Sequence, residues 1–178
     1  MAISYVEDLA ARYYMKKGYL VSQNIQFRLP KGEKKVAGWS DIDVFALAPG
    51  ESIIVNCKSG LGFKSAEKVA SDLVEWFDNA VRFLQGSEKY RWWVQGTKIR
   101  KVIIVDWSVR KAERLLQEAG IEVKLYEDIL RELIGLLKEE LDAKGGGKIG
   151  KEEDPLLRML VAMIGKGFIS EEKLSRLS

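Results

Sequence analysis

The chain has 178 residues, 47% of them hydrophobic and 31% charged, and carries a net charge of +3 from 29 basic and 26 acidic residues. Such a balance excludes a disordered chain and is too nearly neutral to demand a polyanionic partner; the length suits one domain with a small appendage. With no histidine present, Ser-His-Asp and Cys-His catalysis and histidine-based metal sites are ruled out, leaving carboxylates, amides, lysines and a hard cation. Lys and Glu dominate the charges, a pattern of proteins from hot environments. The single cysteine, Cys57, cannot form an intramolecular disulfide, the start MAISYVEDLAARYY lacks the layout of a signal peptide, and no stretch has the length and apolarity to cross a bilayer. The expectation is a cytoplasmic protein without a membrane role.

In chain order, residues 4–17 predict a helix, with Val6, Leu9, Ala10, Tyr13 and Tyr14 on one apolar face and Gly18 as its end. Residues 19–28 alternate like a strand, and 30–38 form a basic loop. Residues 41–48 and 52–58 are apolar or β-branched runs on either side of Pro49-Gly50, the pattern of a hairpin. Residues 65–85 carry the apolar rhythm of a long amphipathic helix. A strand is expected at 91–95 and a stronger one at 101–106 (KVIIVD). A helix at 109–119 ending on Gly120, a strand at 121–125 and a helix at 127–141 complete an α/β domain with a mixed sheet. Residues 1–143 thus form the core and 144–153, rich in glycine, a linker. The remainder, 154–178, is a short helical tail in which Asp154-Pro155 opens one helix and Ser170 caps another.

The hairpin carries the chemistry. Alternation puts Asp41, Asp43, Phe45 and Leu47 on one face of the first strand, and Ile54, Asn56 and Lys58 on one face of the second. A turn centred on Pro49-Gly50 sets Asp43 opposite Asn56 and Asp41 opposite Lys58, whereas a slip of one residue would scatter them. Polar groups in such apolar strands are costly unless paired or liganding. A carboxylate and an amide oxygen can hold Mg²⁺, and a nearby lysine can orient a water for attack on a phosphodiester.

Glu7 in the first helix, then SDIDVFAL, a tight turn and SIIVNCKSG, resembles the PD-(D/E)XK nuclease superfamily, in particular archaeal Holliday-junction resolvases and Mrr-type restriction endonucleases. The resemblance covers roughly residues 1–140. It implies a restriction-endonuclease-like mixed sheet flanked by helices and a metal-dependent endonuclease acting on DNA. Mg²⁺ is the implied cofactor, with Mn²⁺ as substitute, and the chain is expected to act as a homodimer. Asp43 matches the motif aspartate, with Asp41 as the alternative. Asn56 stands at the acidic position, Lys58 at the lysine, and Glu7 is similar to the helix-one glutamate. Asn56 departs from the usual Asp or Glu and leaves open a protein that binds without cutting.

Simpler roles compete at each position. Ser4-x-x-Glu7 is also a capping box, and Asp41, Asp43 and Lys58 could form a cross-strand ion pair. Cys57, on the other side of its strand, reads as a small core residue. Lys31, Lys34, Lys35, Lys64 and Lys68 flank the site in sequence and could meet phosphates, or be solvated loop residues. KYRWWVQGTKIRK interleaves cations and aromatic rings as base-stacking segments do, although at least one of Trp92 and Trp93 is expected in the core.

Overall fold

A computed structural model describes residues 5–29, 38–61, 65–143 and 154–169. The chain divides into two compact units, Met1–Tyr126 and Glu127–Ser178. The first holds a five-stranded sheet in the order β1 (Leu20–Arg28), β2 (Trp39–Ala48), β3 (Glu51–Lys58), β4 (Lys98–Val105), β5 (Ile121–Leu125). The β1–β2 and β2–β3 pairs are antiparallel, and the β3–β4 and β4–β5 pairs are parallel. This is the expected α/β architecture with a mixed sheet and flanking helices.

Each helix reflects a local pattern. In α1 (Tyr5–Lys16), Val6, Leu9, Ala10, Tyr13 and Tyr14 are buried, as the 3.6-residue period requires, and Gly18 at φ +87° ends it. The helix packs against β1 to β4. In α2 (Ala66–Gly86), the Ser65 side chain caps the N-terminus by accepting from the Lys68 N–H, and Leu73, Phe77, Ala80 and Leu84 enter the core. α4 (Arg110–Glu118) adds Ala112 and Leu116 to the same core, which also takes Phe27, Ile54, Ile103 and Val105 from the sheet. None of the α1 residues belongs to this cluster, so the sheet lies between α1 and the α2–α4 layer.

One predicted element is corrected. Arg91–Val94, expected as a strand, is a short helix, α3. Its Trp and Val residues favour a strand in isolation, but packing decides. The helical turn buries Val94 and stacks Trp93 on Phe45 at a centroid distance of 5.9 Å, while Tyr90 meets Trp93 edge-on. Gly96 at φ +75° then turns the chain into β4, which begins earlier than predicted.

The second unit contains α5, whose helix spans Tyr126–Ala143, and α6 (Pro155–Gly165). Asp154 caps α6 as predicted: its Oδ1 accepts from Leu156 and Leu157 N–H at 2.9 and 3.1 Å, with Pro155 in the first turn. The predicted linker and the final capped helix lie outside the described residues. Among the described residues no helix is long and apolar enough to cross a membrane.

Candidate functional site

The turn at Pro49-Gly50 sets the hairpin register as the sequence predicted. Ala48 pairs with Glu51, and the ladder continues to Val44 with Val55. There it stops. β2 remains paired with β1 as far as Trp39, and β3 with β4 as far as Lys58. The two central strands therefore part beyond Val44 and Val55, at the level of Asp43 and Asn56. A backbone N–H exposed by such parting must find another acceptor. Cys57 finds the carboxylate: its N–H donates to Asp43 Oδ2 at 2.5 Å.

The β1–β2 ladder is interrupted at the same level, skipping Asn24 and Asp43, and Asn24 lies at φ +54°. Asparagine is among the few residues that occupy this left-handed region readily. The expected strict alternation of β2 needs correction here. Ile42 and Phe45, three residues apart, both belong to the core cluster, and Ser40 Oγ accepts from Trp76 Nε1 of α2 at 2.9 Å. The alternation thus changes phase around Asp43, and Phe45 does not share one regular face with Asp41 and Asp43.

Burial and charge distinguish the residues of this fork. Asp43 is only 8% exposed, and burial pushes its carboxyl up to about 7. The Cys57 N–H and Lys58 oppose that rise, whereas Glu7 and Asp41 add to it. Glu7, half-buried on α1, is also raised, first by burial and then by Asp41 and Asp8, with Lys58 again opposing. Glu7, Asp41, Asp43 and Lys58 come from three elements and lie within electrostatic reach of one another. Lys58 itself is exposed at the end of β3. The Cys57 thiol is pushed up by burial and by Asp43 and Glu7, which keeps it protonated and unsuited to nucleophilic attack. Cys57 serves the site through its backbone.

Asn56 is 3% exposed, and its Oδ1 is buried without a hydrogen-bond partner among the described residues. An orphaned acceptor of this kind costs about 1–3 kcal/mol. Next to it in sequence is the N–H that holds a carboxylate whose charge is disfavoured by burial. A carboxylate and an amide oxygen are both donors of the kind a hard cation such as Mg²⁺ prefers. Among the described residues, no three His, Cys, Asp or Glu side chains gather at metal-ligand spacing. An amide oxygen lies outside those residue types, so the fit rests on Asp43 with Asn56, and Glu7 and Asp41 are supporting charges.

Of the lysines singled out as phosphate contacts, Lys31, Lys34, Lys35 and Lys64 lie outside the described residues, as does Ser4 of the capping box. Lys68, in the first turn of α2, pairs with Asp72 at 2.7 Å. Sequence reasoning missed Tyr5, Asp106 and Trp107. The Tyr5 hydroxyl donates to Asp106 Oδ2 at 3.0 Å, tying the start of α1 to the segment after β4. A signal existed in KVIIVDW: in a parallel strand pair, the residues after the second strand emerge at the same end as Lys58.

No protein-family model matches this chain, and no curated protein matches it. Among solved structures, it is similar to the "Crystal Structure of Protein of Unknown Function AF1548", at 16% identity and a TM-score of 0.48. That likeness covers 93% of this chain and 99% of the other.

Proposed function

We propose that the protein is a metal-dependent endonuclease that hydrolyses phosphodiester bonds of DNA, in restriction or in repair and recombination. The observation that carries this reading is the fork itself, where the buried carboxylate of Asp43 and the unpartnered amide oxygen of Asn56 stand at the level at which the two central strands part. In this reading Asp43 and Asn56 hold Mg²⁺, or Mn²⁺ in its place, and Asp41 and Glu7 add negative charge. A bound cation there would acidify a water ligand and offset charge on the phosphate. The Cys57 N–H fixes the rotamer of Asp43 so that its second oxygen stays available. Lys58 orients the attacking water and stabilises the developing negative charge. Two chains acting as a homodimer would offer one site to each strand of a duplex, and the lone cysteine suits a cytoplasmic setting.

A second reading is favoured by one observation: a neutral amide, that of Asn56, occupies the position at which the resembled family carries a second carboxylate. It makes the protein a catalytically silent nuclease fold that binds nucleic acid or a protein partner. Incubation with plasmid and branched DNA in Mg²⁺ and in Mn²⁺ separates the two. Cleavage that vanishes in Lys58→Ala while binding persists supports the enzyme. Salt-dependent binding without cleavage supports the silent fold, and no binding at any salt rejects a nucleic-acid role.

A further inference from the structure

The parallel register that pairs Lys58 with Val105 does not end with the strands. It resumes at Leu61 and Ser108, which form an isolated parallel bridge. Leu61 N–H also donates to the Trp107 carbonyl at 3.2 Å. Gly60 and Trp107 therefore stand opposite each other, and they meet in a way that requires glycine. A Cβ on residue 60 would lie within 2.7 Å of three indole atoms of Trp107. The ring is seated against bare backbone two residues from Lys58, and Asp106 beside it is held by Tyr5. Even so, Trp107 remains 43% exposed.

A large aromatic side chain seated on backbone and still accessible is preorganised for stacking, because little side-chain freedom remains to be lost on binding. Bases inside a continuous duplex have both faces covered by their neighbours. An unpaired base offers its face, and an aromatic ring accepts it whatever the sequence. We infer that Trp107 is a stacking platform for an unpaired base of the nucleic-acid substrate, next to the phosphate approached by Lys58. This rests on the nuclease-site reading above. It narrows the substrate to single strands, or duplexes interrupted by unpaired bases, in preference to continuous duplex.

The test measures binding in Mg²⁺ on a Lys58→Ala background, which leaves the strand uncut. A short labelled single strand and a blunt duplex of the same sequence are titrated and followed by anisotropy. Trp107→Ala weakens single-strand binding roughly tenfold, and duplex binding changes little. Trp107→Phe restores most of the affinity, and Gly60→Ala reproduces the loss because its methyl group evicts the ring. Trp92→Ala, which removes another exposed indole, leaves the affinity unchanged. Intrinsic fluorescence reads the contact without a destabilising change: the single strand quenches a component that Trp107→Phe lacks. Unaltered single-strand affinity in Trp107→Ala, equal losses in Trp92→Ala, or quenching that persists in Trp107→Phe overturns the platform and leaves the nuclease site standing. If the parent protein neither binds nor cuts either strand, the nuclease reading falls and takes the platform with it.

Discussion

At the turn end of the β2–β3 hairpin, Glu51 accepts from the Tyr19 hydroxyl at 2.5 Å and from Arg100 Nη1 at 3.3 Å. The same guanidinium reaches Glu122 at 2.5 Å, and Ser52 Oγ lies 2.9 Å from Thr97 Oγ1. At the open end, Asp43 has the Cys57 N–H, and Asn56 Oδ1 has no hydrogen-bond partner among the described residues. The two carboxylates respond in opposite directions. The Tyr19 hydrogen bond, helped by Arg100, holds Glu51 below the ordinary carboxylate range, whereas burial lifts Asp43 to about 7. Tight pairing of the strands leaves the turn end satisfied by its own side chains. Parting of the strands leaves the other end deficient in donors and positive charge, which is the condition a cation or a phosphate-directed reaction can exploit.

The comparison is broken most forcefully at Lys58. If the open end is catalytic, Lys58→Ala lowers Mg²⁺-dependent DNA cleavage by roughly a hundredfold or more, measured as initial rates on a branched substrate. Removing Arg100 at the satisfied end leaves the rate within about threefold when the folded fractions are matched.

Stability should separate the two ends next. In the unfolded chain Asp43 titrates near 3.8, and in the folded one near 7. Between those values the native state binds more protons, so stability falls as pH rises through the window, and the contribution is complete only below it. Denaturant unfolding in EDTA should therefore show wild-type stability declining from about pH 4 to about pH 7. Asp43→Asn should lack that component and exceed the wild type near neutrality by on the order of 2 kcal/mol. A neutral-pH loss of stability in Asp43→Asn would mean that the charged carboxylate is already well satisfied.

The turn end is expected to behave conventionally. Glu51→Gln and Arg100→Met each cost roughly 1 kcal/mol in the same unfolding measurement, because each breaks a charge-assisted hydrogen bond that is only partly buried. Smallest is Lys68→Ala, which removes an exposed pair with Asp72. Its stability should change least of all, because solvent and salt screen an exposed pair.

Much of this fold is written locally. A two-residue Pro-Gly turn admits few registers, so the level of Asp43 with Asn56 followed from the position of Pro49-Gly50, and the helices followed from apolar periodicity and caps such as Ser65 and Asp154. What could not be read locally depends on distant partners. α3 is helical because Phe45 and Tyr90 receive Trp93. The phase change near Asp43 depends on Asn24, on a neighbouring strand. The fork exists because β1 and β4 each hold one of the central strands after those strands have let go of each other. Charge along the chain likewise gave no warning that Glu51 and Asp43 would titrate so differently, since only the folded neighbours set them apart.

Whether the open end of the hairpin receives a divalent cation can be tested without reference to any reaction, by direct titration of the protein with Mn²⁺ followed by the electron paramagnetic resonance of the free ion. Saturable binding of a single ion per chain is expected, abolished by Asp43→Ala, weakened by Asn56→Ala and tightened by Asn56→Asp. Binding that is absent from the wild type, or that survives unchanged in both Asp43→Ala and Asn56→Ala, would contradict it.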